Sequence, residues 1–153
     1  MSHAYAEIAA LVLEDDATLD AWATGGILTY DPRRSGPNAT GDSFDLTEMG
    51  DIKPTIAVVG GNATRTLGGP QSAYQGTVAV RIFAPDYHRY HAEVDVAVER
   101  ITSLLFGYQH STEGPAIFRW DSRLGIQSGG AWEDVIYDEV RFRLIGLHEG
   151  VPT

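Results

Sequence analysis

The stretch from Asp86 to Phe106, DYHRYHAEVDVAVERITSLLF, constrains the fold more than any other part of the chain. Tyr87, Tyr90, Val94, Val98, Ile101 and Leu105 recur every three or four residues, with Ala97 and Leu104 beside them. Arg89, Glu99, Arg100 and Ser103 take the opposite side. This is the period of a helix with one buried face. Such a stripe needs a flat apolar partner, and the flanking segments supply one. Val78, Val80 and Ile82 alternate with Thr77, Ala79 and Arg81 on one side of it, in a strand read from Tyr74 to Ala84. Val140, Phe142 and Leu144 alternate with Glu139, Arg141 and Arg143 on the other. A period of two marks half-buried strands. Pro85 stops the first strand, Asp86 is placed to cap the helix, and Gly107 ends it.

The remaining elements follow the same logic. Ser2 is placed to cap a first helix whose Tyr5, Ile8, Ala9 and Val12 fall at helical spacing. Glu14, Asp15 and Asp16 restart it, Leu19, Trp22 and Ala23 continue its apolar face, and Gly25–Gly26 ends it. ILTY then reads as a short strand, and Ile56 to Val59 as a buried one. Between them, Asp31 to Asp51 is rich in turn formers and acids and reads as a long loop. After Glu113–Gly114–Pro115, Ala116, Phe118, Trp120, Leu124 and Ile126 are assigned to one face of a strand run. Arg119, Asp121, Arg123 and Gln127 are assigned to the other, and Ser128–Gly129–Gly130 to a turn. The expected architecture is one α+β domain over residues 1–153: a mostly antiparallel sheet, one face covered by two helices, with long projecting loops.

Composition removes several functions. There is no cysteine, so disulfides, thiol catalysis and thiolate metal sites are excluded. No apolar run reaches membrane-spanning length, and the N-terminus MSHAYAEIAALVLEDD reads as a helix and not a signal peptide. The net charge of −10, with Lys53 the single lysine, argues against gripping nucleic acid over the whole surface. The double-glycine stretch from Thr55 to Pro70, TIAVVGGNATRTLGGP, matches neither a dinucleotide fingerprint nor a phosphate loop. Strand pattern and not helix pattern follows it, so it reads as a connection between strands. His88, His91 and Asp95 share one flank of the long helix without a further ligand, and Asp42, Asp45, Glu48 and Asp51 do not fit a calcium loop. Neither is assigned a metal. Asn38 and Asn62 stand in Asn-Ala-Thr triplets that are read as chance. No Gly-x-Ser-x-Gly elbow occurs, and the adjacent carboxylates Asp15–Asp16 and Glu133–Asp134 point apart in helix or strand. No catalytic residue and no cofactor is expected.

The arginines carry more information. Arg81, Arg119, Arg123, Arg141 and Arg143 all fall at polar positions of strands, so half of the ten arginines are expected on one side of the sheet. Two readings stand beside each other: cross-strand pairing with Asp121 and Glu139 in solvent, or a contact surface for carboxylates. Nucleic-acid binding by the same face is a third, opposed by the overall charge.

The carriers AYAEIAALVLEDDATLDAW, GTVAVRIFAP, HRYHAEVDVAVERITSLLFG and YDEVRFRLIGL, in that order, resemble the tail terminator (tail completion) proteins of long-tailed bacterial and archaeal viruses. The likeness runs from about Ala4 to His148 and rests on order and pattern. It implies a non-enzymatic structural protein of the virion, made in the host cytoplasm and placed at the tail–neck junction. Members form a hexameric ring that caps the tail tube and docks neck or head-completion proteins, and the genomic DNA passes through the bore without specific binding. A ring needs two different patches per subunit. Arg81, Arg119, Arg141 and Arg143 are the candidates for one, and Asp42, Asp45, Glu48 and Asp51 for the other. The competing readings are a tube subunit or head-closure protein of the same machine, a small enzyme, and a monomeric module binding through the glycine loop.

Overall fold

The computed structural model describes residues 2–30, 45–60, 64–66, 72–110, 116–128 and 134–148. Asp42, Asn38 and Asn62, the Gly129–Gly130 turn and most of the expected long loops lie outside them. The elements run α1 (Ser2–Glu14), α2 (Ala17–Trp22), β1 (Ile27–Tyr30), β2 (Thr55–Gly60), β3 (Thr64–Thr66), β4 (Ser72–Pro85), α3 (His88–Leu105), β5 (Gln109–His110), β6 (Ala116–Arg123), β7 (Gln127–Ser128) and β8 (Val135–His148). Helices and a mixed, mostly antiparallel sheet make this an α+β arrangement.

The sheet order is β1-β2-β4-β8-β6-β5, with β3 also on β4 and β7 also on β8. Its spine is the β4–β8 pair, antiparallel over the full length of both strands, from Ser72 opposite His148 to Pro85 opposite Val135. Fourteen residues at about 3.3 Å each make a ribbon of about 45 Å. Among the described strands only β1 and β2 run parallel.

The pleat sorts the side chains. Ile56 and Val58 of β2, Val78, Val80 and Ile82 of β4, and Val140, Phe142 and Leu144 of β8 form one core with Tyr5, Ala9 and Leu13 of α1, Leu19 of α2 and Val94, Val98, Ile101 and Leu105 of α3. The stripe read from the sequence of α3 is therefore the buried one, although its first member, Tyr87, is exposed. Alternate residues belong to a second, smaller cluster: Ala57, Phe83 and Val135, with Ile52 from the segment before β2. Among the described residues no helix residue belongs to it, and this side of the sheet is called the open face in that sense alone, since Ala57, Phe83 and Val135 on it are buried.

Local corrections have local causes. Ser2 is the first residue of α1 itself. Asp16 is the cap of α2, accepting from Leu19 N at 3.1 Å. Hydrogen bonds from Arg100 on α3, above all, hold the Asp16 carboxyl below its ordinary range, and the pair ties the α1–α2 corner to α3. Asp86 does not cap α3. Tyr87 occupies that position without a side-chain cap, and Asp86 instead pairs with His91 at 3.0 Å. The glycine-rich connection contains a further strand, since Thr64–Thr66 pairs with Ala73–Gln75. The loop before β2 is closed at its end: Thr47 N donates to Asp51 O at 2.7 Å, Lys53 N donates to Asp45 O at 2.9 Å, and Leu46 bridges Ile52. Gly50, with φ +87, makes that turn.

Gly25 packs where no side chain fits. Its N donates to Pro54 O at 2.8 Å, and a Cβ there would stand 2.2 Å from Thr55 Oγ1 and 3.0 Å from Lys53 O. Gly25→Ala is expected to destabilise by about 1–3 kcal/mol through overpacking, read as a lowered urea midpoint with unchanged slope. Among the described residues no helix is long and apolar enough to cross a membrane.

Candidate functional site on the open face of the sheet

Register decides which arginines share a surface. Arg81 lies opposite Glu139, Arg141 opposite Ala79, Arg143 opposite Thr77 and Arg119 opposite Arg143. All four therefore stand on the open face, spread over the adjacent strands β4, β8 and β6. Glu139, nearly buried, sits among them. Arg81 Nε donates to its Oε1 at 2.8 Å and Arg141 Nε to its Oε2 at 2.7 Å. Arg143 donates to Asp121 Oδ1 at 3.1 Å. The cross-strand pairing with Glu139 and Asp121 is thus present. Yet among the described residues four guanidinium groups meet only two carboxylates, and Arg119 has no ion pair there. Like charges directly opposite in a ladder, as Arg119 and Arg143 are, disfavour each other unless an anion joins them.

Burial alone would raise the Glu139 carboxyl, but the hydrogen bonds and charges of Arg81 and Arg141 outweigh it and hold the group below its ordinary value. A depressed folded-state value means stabilisation that is complete above the unfolded value and fades as pH falls through the folded one. Stability is accordingly expected to decline below about pH 4.3. Glu139→Gln should flatten that decline by less than about 1 kcal/mol, because both arginines are substantially exposed. Urea titrations at several pH values would read it.

Arg123 is not part of this surface. The register shifts between Trp120 and Ser122, so that Arg123 lies opposite Val140, a core-facing position. A bulge inserts one residue and turns the following side chains over. Arg123 therefore reaches under α3: Nε and Nη2 donate to Asp138 Oδ2 at 2.9 and 2.8 Å, and Nη2 also meets Asp95 of α3. Asp138 is fully buried and accepts from Gly125 N and Glu139 N as well. This three-residue link between sheet and helix has no signal in the sequence, because alternation alone puts Arg123 with Arg119. It also separates the flank of α3. Asp95 faces Arg123 and His91 faces Asp86, so the His88, His91 and Asp95 flank does not gather at one point.

Asp45, Glu48 and Asp51 lie in the hydrogen-bonded turn that ends at Ile52, anchored at one end of the open face. Asp51 Oδ2 accepts from Tyr87 Oη at 2.8 Å, and that bond, first of all, pushes the Tyr87 hydroxyl above its ordinary value. Asp45 and Glu48 are exposed, and Met49 at the tip is 90% exposed. The acidic turn and the arginines are not in contact within one chain in any described hydrogen bond or ion pair.

On the helix side a groove of about 250 Å³ lies between α2 and α3, lined by Leu19, Trp22, Val96 and Ala97. Its rim charges are already engaged. Trp22 Nε1 donates to Glu93 at 3.0 Å, and Arg100 is held by Asp16. Chemically, the open face suits bidentate capture of carboxylates by guanidinium forks, and the groove suits only apolar contact. The sequence matches no protein-family model and no curated protein.

Proposed function

We propose that this chain is a structural subunit of a long-tailed virus that forms a ring, hexameric by the family likeness, capping the tail tube and joining it to the neck. One observation carries the reading: among the described residues, an eight-stranded sheet bears four arginines on a side where no helix residue joins the cluster, with two carboxylates paired to them. A cationic island on a chain of net charge −10 suits a specific protein contact and not general adhesion. The acidic remainder suits a conduit that DNA traverses without sticking. The engaged state of Glu93 and Arg100 around the apolar groove supports assembly over small-molecule chemistry there.

Arg141→Glu with Arg143→Glu tests it. Arg81 stays paired with Glu139 in this variant, so the fold should survive, although the carboxylates placed beside Glu139 and Asp121 should cost about 1–3 kcal/mol, while ring formation or tail attachment falls at least about tenfold. Negative-stain images of assembled particles and sedimentation of the isolated subunit would read both. Unchanged assembly by the double variant removes the open face from the interface. Labelling the chain in intact particles separates a cap at the tail–neck junction from a tube subunit repeated along the tail.

A further inference from the structure

We infer that the site formed by Arg119 and Arg143 is filled by the acidic turn, Asp45 to Asp51, of a second copy of this chain. This rests on the assembly reading above and names the partner of its open face. The argument is one of charge and reach. Arg119 and Arg143 are register partners on adjacent strands; Arg143 has Asp121, and Arg119 has no ion pair among the described residues. A carboxylate set between them removes a like-charge opposition and supplies Arg119 with a bidentate partner.

The turn offers matching chemistry. Asp45 and Glu48 are exposed, and Met49, between Glu48 and Gly50, has almost its whole surface in water. A flexible thioether chain packs well against the aliphatic stems of arginines. Whole-chain repulsion at −10 must be overcome locally for copies to associate, and this pair of patches does so.

The turn does not reach the site within its own chain. Ile52 is packed on Phe83 and Val135, and the backbone from Asp45 to Lys53 is closed by hydrogen bonds. Thr77, the register partner of Arg143, lies six residues along β4 from Phe83, which is about 20 Å of strand. The contact is therefore made between copies.

Complementation tests this directly. One variant, Arg119→Glu with Arg143→Glu, keeps a native turn and loses the receiving site. The other, Asp45→Lys with Glu48→Lys, keeps the site and loses the acids. Each alone is expected to self-associate on the order of tenfold or more weakly than the native chain, with unaltered circular dichroism. Mixed, they offer one native junction and one charge-swapped junction of the same complementarity, so a heterodimer and longer alternating multimers should appear in sedimentation, weakening as salt rises from about 0.05 M to about 0.5 M. No heterodimer, or native self-association by either variant alone, overturns the inference and leaves the ring reading standing wherever the native chain still forms rings. If the native chain forms no multimers, alone or with tail components, the ring reading falls with it. Loss of tail attachment by the face variant with native self-association assigns the site to a different acidic partner and likewise overturns the inference.

Discussion

Arg123→Ala is expected to destabilise the fold by about 3–5 kcal/mol, the largest effect expected of any single arginine removal among the described residues. Asp138 has no exposed surface, and its only cationic partner among the described residues is Arg123. The Gly125 and Glu139 amides share its other oxygen and do not neutralise it. Removing the guanidinium therefore leaves a buried carboxylate without a counterion and also frees Asp95 on α3. The cost is the penalty of the orphaned charge and not the net worth of the pair. Removing both charges, Arg123→Leu with Asp138→Asn, which keeps an acceptor for the two amides, should accordingly recover most of the loss. Urea unfolding of the single and double variants would measure this. A single-variant loss below about 1 kcal/mol would put the pair in the class of surface bridges.

Ile101→Ala should cost about 2–5 kcal/mol. Ile101 is fully buried in the middle of the α3 stripe, one turn from Val98 and Leu105, and packs into the cluster shared with the sheet. Truncation loses the transfer free energy of the removed carbons and leaves a cavity between rigid layers, which close only in part. Val96→Ala on the exposed side of the same helix is the control, expected within about 0.5 kcal/mol. A thermal melt in which the two variants match would show that the stripe does not face the sheet.

How much of the site was legible depended on where alternation held. Arg81, Arg141 and Arg143 lie on strands whose mutual register is unbroken from end to end, so a period of two placed them on one face correctly. Arg119 precedes the bulge in β6 and keeps to that face for the same reason, whereas Arg123 follows it and turns to the other. No residue type announces a bulge, because the extra residue is a property of the pairing with β8. Asp86 has the chemistry of a cap, but it meets His91 instead and Tyr87 takes the cap position, since Pro85 is still paired in the sheet. Thr64–Thr66 is too short to show a period, and only its pairing with β4 makes it a strand.

Local pattern is enough to set the class of each long element, because periods of 3.6 and 2 express local geometry: α3, β4 and β8 follow from which residues repeat. It also determined that a row of arginines would line one side of a sheet. Tertiary structure alone decided the strand order, the parallel β1–β2 pair, the bulge that sends Arg123 beneath α3, and the anchoring of Ile52 that holds the acidic turn away from Arg119 and Arg143. Each of these depends on contacts between residues far apart in the chain, and a local pattern carries no record of which distant surface it will meet.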